Sequence, residues 1–397
     1  MTAAGGTDRL NDFPTALPLR ILFVAWRDLG HPAAGGSEVV IDALARGAMA
    51  RGHEVALLCG GPVTERSYRT VDSGGVYTQY LRAPLHYLRE FRHWDLVVDV
   101  GNGIPFFSPL YRQKPVICLI HHVHAHQWVL HFGGAIGGVG QYLETQVVPR
   151  LYRNCPFITV SPSTAEALEG IGVPADRIHL VHNGVDLPDP LPEPQESDEP
   201  TFLVLGRLAP IKRLGLALDL WAKVRERLGS GRLVIAGDGP EYEALAERDV
   251  PGVELLGWVS DERKAELLTT SWCLVHTAEQ EGWGLVITEA AAYGTPTLAF
   301  DVPGVRDAVV DGVTGHLARS NEEFVSAWVD LATDPQRRAE LARNAQQRAL
   351  SFTWDQTTEE FLKAAQLATD EWRSPAAGIA AGVRRSARRF SAGGRRR

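Results

Sequence analysis

Three groups of residues in this chain have types and spacings that could do chemistry. The first is Glu281-Gly-Trp-Gly-Leu-Val-Ile-Thr-Glu289, in which Gly282 and Gly284 flank the start of an alanine-rich helix. Glycine lets a backbone approach a ligand closely, and a helix start offers unpaired N–H groups and a positive dipole end, so the string suits a phosphate. The plain alternative is a capped surface helix with two incidental glutamates. A glycosidase pair is disfavoured: a retaining hydrolase needs carboxyls roughly 5 Å apart, whereas eight helical steps span about 12 Å. The two glutamates are therefore expected to touch different parts of one long ligand. The second group is Gly206-Arg-Leu-Ala-Pro-Ile-Lys212, directly after an apolar run. The planar fork of Arg207 and the compact charge of Lys212 can together hold a diphosphate; solvated charges at a helix start are the alternative. Lysine occurs only five times in the chain, which singles out Lys212. The third group is His121-His-Val-His-Ala-His126. Alternate histidines suggest a metal site, but zinc ligands are usually spread more widely or reinforced by acids. No HExxH occurs, and no Asp-x-Asp follows a strand of the second half. No metal is expected.

The elements that must position these groups alternate along the chain. Apolar runs at Ile21–Ala25, Glu54–Cys59, Leu96–Val100, Val116–Ile120 and Phe157–Val160 read as buried parallel strands, with helical patterns between them. The rhythm breaks at Asp186–Pro200, where five prolines and six acids in fifteen residues read as a linker. It resumes with strands at Phe202–Leu205, Leu233–Ala236, Val253–Leu256, Cys273–His276 and Thr297–Phe300. The expected fold is α/β: two facing doubly wound, Rossmann-like domains sharing a cleft at the carboxyl ends of their strands. The glycine-rich stretch Phe132–Gly140 reads as a mobile loop, with an acceptor-binding lid as the sharper idea.

Composition narrows the function further. The 397 residues carry a net charge of −8, but the seven arginines of residues 384–397 leave 33 basic against 48 acidic groups on the remainder, a balance of −15. Such a body is a poor partner for nucleic acid. No apolar run is long enough to span a bilayer, and Met1–Pro18 has no secretory core. Cys59, Cys118, Cys155 and Cys273 form no CxxC pair and read as thiols of a reducing cytosol. A cytoplasmic protein is expected, with the arginine tail touching an anionic membrane at its inner face.

Arg207 with Lys212, the Glu281-x7-Glu289 string and His-Asn-Gly-Val-Asp at His182–Asp186 together resemble the retaining family 4 glycosyltransferases of the GT-B fold. Gly304 in Val302-Pro-Gly-Val-Arg306 and Asp311-Gly-Val-Thr-Gly315 extend the similarity, which covers roughly Ile21–Leu367. The resemblance implies hexose transfer from a UDP- or GDP-linked sugar to a glycan, lipid-linked or small-molecule acceptor, with no cofactor. Arg207 and Lys212 would hold the donor diphosphate, and Glu289 the ribose. Glu281 would meet the hexose near its anomeric carbon, helped by the backbone of Gly282, Trp283, Gly284 and Leu285. Val259 matches the region that meets the base, and Gly35 with Gly36 the glycine loop of the first domain. His121 best matches the family's functional histidine, with His122 as runner-up. The implied division is an acceptor-side domain (1–186), a linker (187–200) and a nucleotide-sugar domain (201–351). A helix crossing back (352–372) and a basic tail (373–397) complete it. A sugar phosphorylase or nucleotide-sugar epimerase on the same scaffold, or a non-catalytic carbohydrate-binding relic, are the alternatives.

Overall fold

Alternation of buried side chains along each strand sets up the architecture. In β1 (Arg20–Arg27), Ile21, Phe23 and Ala25 enter one apolar core while Leu22 and Val24 enter another on the opposite face. A strand buried on both faces needs a parallel sheet covered by helices on each side, and the chain builds two of them. The structure, a computed structural model, describes residues 17–373 apart from 33, 126 and 194 and the side chains of 130–132. The arginine-rich end and His126 lie outside the described residues.

The first sheet adds β2 (Glu54–Gly60), β3 (Arg69–Asp72), β4 (Leu96–Gly101), β5 (Val116–Ile120), β6 (Phe157–Thr159) and β7 (Ile178–Leu180), in the order β3-β2-β1-β4-β5-β6-β7. The second comprises β8 (Thr201–Leu205), β9 (Arg232–Ala236), β10 (Val253–Gly257), β11 (Cys273–His276), β12 (Thr297–Phe300) and β13 (Gly315–Ala318), in the order β10-β9-β8-β11-β12-β13. Every pairing between these strands is parallel. Strand order reverses between β1 and β4 in one sheet and between β8 and β11 in the other. Loops diverge at such points and leave a crevice beyond the strand ends.

The chain passes between the two sheets twice at one place. Val185 pairs with Thr353 as a parallel bridge, its N–H donating to the Phe352 carbonyl at 2.9 Å. The helix Trp354–Arg373 then returns to the first sheet, where Phe361, Ala364, Ala365 and Ala368 complete the core around Phe23. Phe361 stacks on Phe23 at 5.7 Å. The described residues of 187–200 form no strand or helix but are pinned along the second sheet's domain: Glu196 takes a bidentate grip from buried Arg338 at 2.7 and 2.8 Å.

One expectation is overturned. Phe132–Gly140 is not a loop but the end of one helix, Gln127–Phe132, and most of a second, Gly134–Tyr142. Its glycines serve close packing: a methyl group on Gly137 or Gly140 would collide with the Trp128 backbone or indole. The four cysteines are free thiols, three of them buried. Among the described residues no helix is long and apolar enough to cross a membrane.

Candidate functional site

The loops that leave β8 and β11 emerge side by side at the second sheet's reversal point and are laced together. Thr277 Oγ1 donates to the Lys212 carbonyl at 2.8 Å, and the Glu279 N–H to the Ile211 carbonyl at 3.0 Å. The Arg213 guanidinium returns bonds to the Thr277 and Ala278 carbonyls at 2.8 and 3.2 Å. The lacing fixes the short turn Pro210–Lys212 and aims Lys212 at Glu281, with which it forms an ion pair. Arg207 lies exposed at the mouth of the same loop. Lys212 is partly exposed, and Glu281 already engages it.

Glu281 has a second neighbour. His276, the last residue of β11, brings Nε2 to 3.0 Å from Glu281 Oε1 from inside the protein. Burial opposes ionisation of Glu281, but the Lys212 charge and then His276 override it and hold the carboxyl well below its usual range. Burial pushes His276 itself downward, against the pull of Glu281. The carboxylate is thus a fixed anion gripped from both sides.

The helix of the Glu281-x7-Glu289 string begins only at Leu285. Glu281 therefore sits in the loop, and the eight helical steps expected between the glutamates do not occur. Gly284 caps the helix with φ +85°, a conformation that strains any residue with a side chain. Trp283 is almost wholly buried, its ring 4.9 Å from His182 and 5.1 Å from Phe352. Its indole props the crossing between the domains. Glu289 lies on the helix with Lys264 Nζ 3.6 Å away; burial raises its carboxyl and Lys264 only partly offsets this. Val259 is half-buried just past β10, beside the exposed indole of Trp258.

The first domain meets these groups at two close approaches. A methyl group on Gly282 would stand 2.6 Å from the His121 carbonyl oxygen, so only glycine lets the Glu281 loop lie against the end of β5. One on Gly36 would stand 3.2 Å from Leu285 Cδ1, so the starts of the helix Gly36–Ala50 and the helix Leu285–Ala292 lie against each other. The extended Gly35 caps the former, its N–H held by Glu38 Oε2 at 2.7 Å, while Arg27 steadies Glu38 at 3.1 Å. Gln280 spans the same gap: it donates to the Val123 carbonyl at 3.2 Å and accepts from Gln127 at 3.0 Å.

His121 is buried, and its Nε2 has no hydrogen-bond partner. Burial, then His122 and His124, push it down to about 3, and burial with His124 does the same for His122, also to about 3. Both rings are neutral near pH 7. Glu144 accepts from the His124 backbone N–H at 2.8 Å and the Trp128 indole at 2.9 Å, while burial raises its carboxyl to about 7. Among the described residues no three His, Cys, Asp or Glu side chains gather as a metal-binding group.

The structure thus brings Lys212, Glu281, Gly282 and Leu285 together with His121 and Gly36. Arg207, Glu289 and Val259 stand on the same carboxyl edge of the second sheet. Sequence reasoning missed His276, Lys264, Gln280 and Glu144. Only His276 carried a signal, as a histidine ending a strand shortly before Glu281.

Comparison with known proteins bears on the whole arrangement. A model of the Glycosyltransferase Family 4 matches residues 34–188, and one of the Glycosyl transferases group 1 matches residues 191–348. D-inositol 3-phosphate glycosyltransferase of Rhodococcus erythropolis is 30% identical over 283 residues, covering 64% of this chain and 63% of that protein. The Mycolicibacterium smegmatis protein of the same name is 30% identical over 237 residues, covering 54% of this chain and 52% of that one. The chain therefore spans between about half and 63% of the length of these curated relatives. Among solved structures, Anabaena HepE in complex with UDP and glucose superposes with a TM-score of 0.70 at 19% identity, over 87% of this chain and 99% of that one. Sucrose-phosphate synthase of Thermosynechococcus elongatus does so with a TM-score of 0.72 at 20% identity, over 89% and 99%. Two parallel sheets of this order, a glycine-capped helix at the second reversal point and tandem matches to both family models lead to one conclusion: the chain belongs to the family 4 glycosyltransferases and has the GT-B fold.

Proposed function

We propose that the protein transfers a hexose from a nucleoside-diphosphate sugar to an acceptor hydroxyl with retention of anomeric configuration. The observation that carries this reading is the convergence of Lys212, Glu281 and the start of the helix Leu285–Ala292 on His121 and Gly36 of the other domain. One cleft then holds a cation and free helix amides for a diphosphate, a fixed carboxylate for sugar hydroxyls, and a neutral imidazole with an unpartnered nitrogen.

In this reading Lys212 exchanges the Glu281 carboxylate for the donor's phosphate oxygens and acts there with Arg207. Preorganised charge of this kind stabilises a leaving group at low reorganisation cost. Glu281, left with His276 behind it, accepts from hexose hydroxyls. His121 binds the hexose through Nε2 and, being neutral, works as a hydrogen-bonding group rather than an acid. Glu289 takes the ribose, and the backbone beside Val259 the base. With no second carboxylate paired to Glu281 among the described residues to act as a nucleophile, departure of the diphosphate leads and the acceptor attacks from the same face. Contacts between the domains at Gly36, Gln280 and Gly282 exclude water and limit hydrolysis of the donor.

The UDP and glucose bound to the Anabaena neighbour favour UDP over GDP as the first donor to test. The names of the curated relatives put a polyol phosphate beside glycans and lipid-linked sugars as acceptor. The reaction is assigned to the cytosol and needs no metal in this reading, because Arg207, Lys212 and the helix start answer the diphosphate's charge. A thermal-shift comparison of UDP, GDP and ADP tests the donor site, since a selective ligand stabilises the fold by mass action. Proton NMR of the product then reads its anomeric configuration. Failure of all three nucleotides to raise Tm, or an inverted product, would overturn the proposal. Turnover that requires inorganic phosphate instead would identify a phosphorylase, and free epimerised sugar an epimerase.

A further inference from the structure

The helix Gln79–His86, continued by the turn Tyr87–Phe91, is apolar on two opposite faces. Its inner face sends Ala83, Tyr87 and Phe91 into the first domain's core. Its outer face presents Leu81, Leu85 and Leu88, and Tyr77, in the turn just before the helix, extends the row, at spacings of four, four and three residues that form one stripe. All four are exposed, Tyr77 and Leu81 by 77% and 78%. Single exposed leucines are ordinary, but a continuous stripe marks a surface with a partner.

The rim says which partner. Arg82, Arg89 and Arg92 are exposed along the same segment. The only acid between Tyr77 and His93, Glu90, is held by Arg69 and by His86, the latter at 3.1 Å. A basic, leucine-bearing edge on an otherwise acidic body is complementary to an anionic, apolar phase. A second copy of the chain fits poorly, because a two-fold contact through the stripe would set the same arginines against one another. We propose that the Tyr77–Leu88 stripe docks the protein on an anionic lipid bilayer, with the leucines at the headgroup–acyl boundary and Arg82, Arg89 and Arg92 among the headgroups. The stripe shares no residue with the donor site or with the arginines at 384–397.

The test is co-sedimentation of the full chain with phosphatidylglycerol-containing or pure phosphatidylcholine vesicles, at low and physiological salt. Light scattering on the same samples reads the oligomeric state. The wild type is expected to sediment only with the anionic vesicles. Leu81→Glu with Leu85→Glu should cut the bound fraction at least tenfold without changing Tm or UDP binding, since both side chains are exposed. Arg82→Ala with Arg89→Ala should weaken binding and flatten its salt dependence. A full-length form with the seven tail arginines changed to serine should retain stripe-dependent binding. The proposal is overturned if the double-glutamate form sediments like the wild type, or if the wild type ignores anionic vesicles. It is overturned equally if the tail change alone abolishes binding, or if the wild type is a dimer that the leucine changes dissociate.

Discussion

Replacing Lys212 with methionine removes an ammonium that the resting protein uses for Glu281 and that the proposed reaction uses for phosphate. The two effects are separable. The paired side chains are 23% and 15% exposed, so the pair is neither open to water nor fully enclosed. An exposed pair contributes about 1 kcal/mol at most, and stripping one partner from a buried pair costs about 3–5 kcal/mol. Lys212→Met should therefore cost about 2 kcal/mol, between those limits. For a unit of this size that is a fall of roughly 4–8 °C in Tm. The pH dependence fixes the cause. Glu281 has a folded pKa below its unfolded value of 4.5, so its pairing contributes fully above pH 4.5 and fades as pH falls toward the depressed value. The Tm gap between wild type and Lys212→Met should accordingly be complete at pH 7 and close below pH 4.5. In turnover, losing one preorganised charge should lower kcat by about a hundredfold or more. Calorimetric melts from pH 3.5 to 7.5, with steady-state kinetics on the true donor, measure both. A variant that melts with the wild type at pH 7, or a gap unchanged in acid, would refute the pairing argument; normal kcat would refute the role in transfer.

Glu289→Ala should weaken nucleoside diphosphate binding by about tenfold or more, the value of a charged hydrogen bond. Glu281→Gln should spare that binding, because it frees Lys212, and lower kcat instead; titration calorimetry with UDP separates the two, and the opposite pattern would reverse their roles. Gly282→Ala, whose added carbon meets the His121 carbonyl oxygen at 2.6 Å, should reduce kcat at least about tenfold with Tm nearly kept, by displacing the Glu281 loop. Gly36→Ala should be milder, since it meets the movable end of the Leu285 side chain. Because His121 and His122 have folded values near 3 against 6.5 unfolded, stability should decline as pH falls below 6.5, and His121→Asn should flatten that decline in calorimetric melts. Turnover should survive EDTA; loss that zinc restores would point to a metal at the histidine cluster.

Most strands readable in the sequence were those buried on both faces; the edge strand β10 was readable from its apolar run although its residues are only half-buried. Val116–Ile120, Cys273–His276 and Thr297–Phe300 are continuous apolar runs, and the structure begins and ends them at the same residues. The strands that were not readable, β3, β7 and β13, are all edge strands, where one side meets solvent or loops and no apolar run is required. The site divides the same way. Residues placed just after a buried strand, such as Lys212 and Glu281, announce themselves by type and position. Lys264 pairs with Glu289 across 25 positions and Gln280 with Gln127 across 153, and nothing local encodes such meetings. Phe132–Gly140 misled because glycine has two uses. It loosens a loop, but here it lets one helix backbone lie against the indole of another.

The return of the helix Trp354–Arg373 to the first sheet has a consequence for synthesis on the ribosome. The last strand of that sheet ends at Leu180, yet its core lacks Phe361 and three alanines until the helix emerges. At about 5–20 residues per second the intervening stretch takes roughly 10–35 s to make. The second domain receives the last buried residue of its main core, Leu341, before Phe361 is made, while the first keeps an apolar face open around Phe23. The half made first is therefore finished last, and trigger-type chaperones would find their longest-lived target on the N-terminal domain.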